Sequence, residues 1–163
     1  NISCRYLTYS TEFIIWARKS EKKPHYFNYD LMKQLNGDKQ MTDVWYLPAI
    51  ARWEKSFGKH PTQKPLALLA RIIMASTKPG EWVLDPFCGS STTGIAANLL
   101  GRRYLGIDQE EDFLQLSKER KIEIENSTTF SLYRKKIKDI ALYEKHSSAT
   151  LFSEEVQGYD LPF

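Results

Sequence analysis

Apolar residues recur with a steady period only between residues 65 and 125. Leu66, Leu69, Ile72 and Ile73 are spaced by three and four, which predicts an amphipathic helix. Pro65 opens it, because a proline's missing N–H would be unpaired in a first helical turn anyway. Lys78-Pro79-Gly80 stops it, and Trp82-Val83-Leu84 reads as a short buried strand ending at Asp85. Thr92 to Leu100 reads as a helix closed by Gly101, Arg103 to Ile107 as a second strand ending at Asp108. Glu110 to Glu125 reads as a further helix with Phe113, Leu116, Arg120 and Ile124 along one side. Strand, loop, helix and strand over 82–108 have the length of a βαβ crossover with a parallel pair. Upstream, 5–17 reads as extended, with Phe13-Ile14-Ile15-Trp16 as a strand and 18–24 as a charged turn. Residues 25–60 show no sustained period and are expected to be irregular and loosely anchored. After Ser127 one basic helix is expected near Leu132–Tyr143, and the pattern then fades toward Phe163.

A chain of 163 residues is the size of one domain. Hydrophobic residues make up 42% and charged residues 26%, which excludes a disordered or fibrous class. No apolar run approaches the roughly 20 residues of a membrane span, and the longest is cut by Arg71. Cys4 and Cys88 form no disulfide framework, which fits a reducing cytoplasm. The start, Asn1-Ile2-Ser3, carries neither a Met nor a signal peptide, so a longer parent chain is expected. His25, His60 and His146 form no ligand cluster, and no metal is expected. The net charge of +3 is unevenly spread: residues 1–60 hold 10 Lys and Arg against 6 Asp and Glu. That excess is either a solvated face or, with its interleaved aromatics, a phosphate-facing surface.

The most informative segment is Asp85-Pro86-Phe87-Cys88-Gly89-Ser90-Ser91-Thr92-Thr93-Gly94. It leaves the carboxyl end of a strand and opens a helix, the place where open α/β sheets bind ligands. Gly89, Ser90 and Ser91 allow close backbone approach, and the helix start presents free N–H groups. A nucleotide-triphosphate loop requires a Lys where Ile95 stands, and a dinucleotide fingerprint requires a Gly where Ser91 stands. Asp85 would repel a pyrophosphate and attract a cation, while Asp108 suits a ribose diol. A ligand with a ribose, an ammonium and no phosphate fits both, and S-adenosylmethionine is one. The competing reading is that Asp85 and Asp108 only cap the following helices. A second segment, His60-Pro61-Thr62-Gln63-Lys64-Pro65, is either a proline-bracketed turn or a carboxylate-binding helix mouth.

HPTQKP, an apolar helix, a strand, DPFCGSSTTG and then Tyr104-Leu105-Gly106-Ile107-Asp108 resemble the β-class amino-group DNA methyltransferases of bacterial restriction-modification systems. The resemblance covers residues 5–125 and implies an α/β fold: a Rossmann-like, doubly wound, mostly parallel sheet with an irregular target-recognition excursion. It implies a methyltransferase domain over 1–25 and 60–126, target recognition over 26–59 and a C-terminal tail over 127–163. S-adenosylmethionine is the implied cofactor, with His60, Thr62, Gln63, Lys64, Asp85, Pro86, Phe87, Cys88, Gly89, Ser90, Ser91, Thr92, Thr93, Asp108 and Gln109 around it. Arg5-Tyr6-Leu7-Thr8 and Thr11–Trp16 resemble strands near a flipped base, and Asp43-Val44-Trp45 stands where the family places it.

The implied reaction is methylation of the exocyclic amine of a base flipped out of duplex DNA, with N6 of adenine expected ahead of N4 of cytosine. Arg18, Lys19, Lys22, Lys23, Arg52, Lys55 and Lys59 are the candidate DNA contacts. The implied partners are duplex DNA, a cognate restriction endonuclease and a second copy in a homodimer, with no membrane. The family's cofactor loop usually carries Gly where this chain has Ser91, which adopts a left-handed backbone less readily. Its catalytic Asp-Pro-Pro-Tyr tetrapeptide is absent; Asp85-Pro86-Phe87 belongs to the cofactor motif. The tetrapeptide is expected upstream of residue 1. The alternatives are a methyltransferase of RNA or protein, or a non-catalytic cofactor-binding subunit.

Overall fold

The structure is a computed structural model that describes residues 7, 10–58 and 62–145. Its centre is β1 (Trp82–Asp85), α3 (Thr92–Leu99) and β2 (Arg103–Gly106), preceded by α1 (Tyr29–Leu35) and α2 (Leu66–Ser76). Then come α4 (Glu111–Glu125), α5 (Ser127–Lys136) and a helical stretch, α6, over 138–145. β1 and β2 pair in parallel, with Leu84 beside Leu105 and Asp85 beside Gly106. Helix α3 makes the crossover and is the hub, touching both strands, α2, α4 and α5. The α/β parallel unit expected from the pattern is therefore present, with element ends within one residue of expectation.

Packing follows the α2 stripe: Leu66, Ala70, Ile73 and Met74 are buried against Ile95, Ala96 and Leu99 of α3. Among the described residues no helix is long and apolar enough to cross a membrane.

Four expectations are corrected. Phe13-Ile14-Ile15-Trp16 forms no strand, and Phe13 and Ile15 are about nine-tenths exposed, at 92% and 90%. A strand hydrogen-bonds only to a neighbour, and the sheet among the described residues has two strands, neither of them this one. The β1 strand is covered on one face only: Val83 packs inward, while Trp82 and Leu84 are 64% and 61% exposed.

Among the described residues of the 25–60 segment, the part around α1 is ordered and anchored. Asn28 caps α1 by accepting from Leu31 N, Asn28 N donates to Ala75 O at 2.8 Å, and Leu31 and Met32 enter the core. The basic tail helix is two helices, broken at Ile137, which is buried with Ile140. Arg71 and Asp139 tie α6 to α2 through a two-pronged ion pair at 2.7 and 3.2 Å.

Candidate functional site

The 85–94 loop runs from the end of β1 into α3, beside the end of β2. Asp85 and Asp108 act in the same way at the two strand ends. Asp85 Oδ1 accepts from Phe87 N at 3.1 Å, and Asp108 Oδ1 accepts from Glu110 N at 3.0 Å. Both bonds reach two residues onward, the Asx pattern that turns a chain sharply. The second oxygens reach further: Asp85 Oδ2 accepts from Thr93 Oγ1 and Asp108 Oδ2 from Gly89 N, each at 2.7 Å. The capping reading is thus visible in the geometry. It does not exhaust Asp85, since a carboxylate accepts up to about four hydrogen bonds. Asp108 is half-buried, and its bond to Gly89 joins the two strand-end loops into one unit.

Gly89 and Ser91 both adopt left-handed backbone, with φ of 49° and 52°. Ser91, the position where the resemblance leads one to expect glycine, holds the strained conformation as the N-cap of α3. Its N–H donates to Cys88 O at 2.7 Å, and its hydroxyl lies 3.3 Å from the Tyr104 hydroxyl. Tyr104 lies in a slot between two glycines: a Cβ on Gly94 or Gly106 would collide with its ring or hydroxyl. Burial raises the Tyr104 pKa well above the usual phenol range, so it stands there neutral. Cys88, Gly89, Ser90, Ser91 and Thr92 are buried, Thr93 and Asp108 half-buried, and Pro86, Phe87 and Gln109 exposed. Phe87 is 85% exposed at the loop's outer edge.

The TQKP segment is arranged differently from expectation. Gln63 is buried and donates to the Glu54 carbonyl at 2.9 Å. Leu66 N, at the mouth of the following helix, donates to Glu54 Oε2 at 2.8 Å. Glu54 is itself buried and also accepts from Ala51 N. This chain therefore places its own carboxylate at the mouth of α2. Lys64 is exposed and pairs with Glu12 at 2.6 Å, and Thr62 is exposed. His60 and Lys59 lie outside the described residues.

Of the candidate DNA contacts, Arg18, Lys19, Lys22 and Lys23 are exposed on one turn, Arg52 is exposed and Lys55 half-buried on the 3₁₀ turn Arg52–Lys55. The turn is folded back by Trp16, whose ring sits 5.1 Å from His25 and 5.3 Å from Phe27. Asp43 and Val44 are exposed, while Trp45 stacks on Arg71 at 5.0 Å. Among the described residues no group of His, Cys, Asp or Glu could hold a metal ion.

The site also uses residues that sequence reasoning missed. Arg120 and Ser117 of α4 grip the loop, and Glu54 caps α2. Arg120 could have been noticed as a cation on an otherwise apolar helix side; Glu54 left no pattern at all.

A parallel β-α-β unit with a glycine-bearing loop and an acid at each strand end is the architecture of an α/β domain, whose ligands bind at the carboxyl ends of the strands. The chain belongs to the N6/N4 DNA methylase family, whose model matches residues 1–119. It is 67% identical over 124 residues to the "Type II methyltransferase M2.MboI" of Moraxella bovis, covering 76% of this chain and 45% of that protein. It is 59% identical over 129 residues to the "Type II methyltransferase M2.DpnII" of Streptococcus pneumoniae, covering 78% of this chain and 48% of that protein. The chain thus spans about half the length of these curated relatives. A solved structure, described as the M1.HpyAVI–SAM complex, is 38% identical with a TM-score of 0.48, covering 61% of this chain and 45% of that one.

Proposed function

We propose that this chain is the S-adenosylmethionine-binding part of a site-specific DNA methyltransferase that methylates N6 of adenine in duplex DNA. The observation that carries the reading is the pair of acids, Asp85 and Asp108, placed at adjacent strand ends around the Gly89–Ser91 turn. Two carboxylates at the strand ends disfavour a phosphate and suit a ribose with a positively charged tail, and the nearby Arg120 guanidinium is taken up by the turn's own oxygens. The bound donor would supply a methyl group on a sulfonium, already activated for attack by an amine lone pair. The chain's contribution is positioning: the buried 88–92 backbone fixes the loop, Asp85 holds Thr93, and Asp108 holds Gly89.

The methyltransferase part comprises 1–25 and 60–126, and 26–59 serves target recognition, anchored by α1. The tail, 127–163, begins with α5 and α6 packed on the core. Arg18, Lys19, Lys22, Lys23, Arg52, Lys55 and Lys59 meet DNA phosphates or bases in this reading. A cognate endonuclease, a homodimer and a cytoplasmic setting belong to the same proposal, as does a catalytic tetrapeptide in another part of the parent protein.

The test is calorimetric titration of the full-length protein with S-adenosylmethionine and with NAD, followed by nucleoside analysis of DNA incubated with labelled donor. Donor binding and N6-methyladenine support the proposal; N4-methylcytosine would move the target base, and NAD binding alone would overturn the cofactor. Replacing Lys22, Lys23 and Lys55 with Ala should lower the salt dependence of DNA binding by about one unit of slope per lost phosphate contact.

A further inference from the structure

Two carbonyls of the 88–92 turn are held from outside it. Cys88 O accepts from Ser91 N, and Ser91 O accepts from Ile95 N as α3 begins. The Gly89 and Ser90 carbonyls between them accept from side chains of helix α4. Ser117 Oγ donates to Gly89 O at 2.8 Å. Arg120 Nη1 donates to Ser90 O and also reaches Ser90 Oγ at 3.0 Å and Thr92 Oγ1 at 3.1 Å. Ser117 and Arg120 are three residues apart, hence on one face of α4.

Arg120 is only 5% exposed. Removing a guanidinium from water is costly, and an apolar residue of similar volume would pack as well or better. Burial works against its charge, and the Glu54 and Glu123 carboxylates nearby work for it. Glu54 is the same carboxylate that caps α2. The cation therefore sits between the turn and the start of the TQKP helix. What a leucine could not supply there is direction: three oxygens of one tight turn are held by a single nitrogen.

We propose that Arg120, assisted by Ser117, is a positioning residue for the methyl donor: it fixes the Gly89–Thr92 turn in its ligand-accepting shape without touching the ligand. The proposal rests on the cofactor reading above.

It is tested in the full-length protein with Arg120→Gln, Arg120→Lys, Ser117→Ala and, as an exposed neighbour, Lys118→Gln. Each is titrated separately with S-adenosylmethionine and with duplex DNA, and its kinetics are measured against donor concentration. Arg120→Gln should weaken donor binding by about tenfold or more, Ser117→Ala by about threefold, the scale of one or two lost hydrogen bonds. Arg120→Lys should fall between wild type and Arg120→Gln, because an ammonium keeps the charge on a shorter, more flexible stem. KM for the donor should rise while kcat at saturating donor and the affinity for DNA hold. Lys118→Gln should match wild type.

A folded Arg120→Gln protein that binds the donor like wild type would overturn the proposal, as would equal losses toward donor and DNA. If Arg120→Gln does not fold, unchanged donor affinity in both Arg120→Lys and Ser117→Ala overturns it. Wild-type protein that fails to bind the donor instead refutes the cofactor reading itself.

Discussion

Two four-residue apolar runs, Phe13-Ile14-Ile15-Trp16 and Ile72-Ile73-Met74-Ala75, end in opposite places. Ile73, Met74 and Ala75 are buried in the core, whereas all four residues of the first run are exposed. Composition does not separate them; hydrogen bonding does. A helix satisfies its backbone internally and can press an apolar stripe onto any complementary surface. An extended run needs a neighbouring strand before burial is affordable, and among the described residues none pairs with it. The sheet is paired and still has a bare face, where Trp82, Leu84, Leu105 and Ile107 are exposed, while helix α3 packs on the strands. Parallel sheets in α/β domains are normally covered on both faces.

The sharpest way to break the contrast is through the ion pairs of the two regions. Arg71→Ala leaves Asp139 buried without its guanidinium and should cost about 3–5 kcal/mol of unfolding free energy. Lys64→Ala removes the exposed partner of Glu12 and should cost less than about 1 kcal/mol. Chemical denaturation of the two variants, compared at constant m-value, checks both. A large loss at Lys64 would show that the N-terminal segment is docked and not merely adjacent.

Next in size are the apolar runs themselves. Met74→Ala should destabilise by about 2–5 kcal/mol, the cost of a core cavity. Phe13→Ala should stay within about 0.5 kcal/mol, as for exposed sites. Thermal melts of the full-length protein would put a stability cost on Phe13 only if another part of the protein covers it.

A smaller effect is expected at Gly94. Alanine gains about 1 kcal/mol of helix propensity over glycine. It also collides with the Tyr104 ring, and overpacking costs about 1–3 kcal/mol, so a net loss is expected from denaturation of Gly94→Ala. Stabilisation instead would mean that Tyr104 can leave its slot freely.

The legible part of the chain was the part that punctuates itself. Pro65, Lys78-Pro79-Gly80 and Gly101 bracket elements whose apolar spacing already matched their period, and α2 through α4 follow. Helix α1 escaped notice because seven residues bury only the adjacent pair Leu31 and Met32, too few to show a helical period. The loop and its two acids were legible because type, order and spacing all converge there. Their shared wiring was not: the reach of Asp108 to Gly89, or of Glu54 to Leu66 N, spans 19 and 12 residues. Such contacts are set by how helices meet and leave no local trace. For the same reason the sequence does not show that Glu54 reaches the mouth of the helix after the TQKP segment.

The central claim is that Asp108 serves a ligand as well as its own loop. The most direct measurement is a calorimetric titration of S-adenosylmethionine into wild-type and Asp108→Ala full-length protein, with a thermal melt of each. Loss of a charged hydrogen-bonding partner should weaken donor binding by about 1.5–3 kcal/mol, while the loss of the Gly89 and Glu110 bonds lowers the melting temperature only modestly. Unchanged affinity together with a collapse in melting temperature would contradict the account and leave Asp108 as a cap alone.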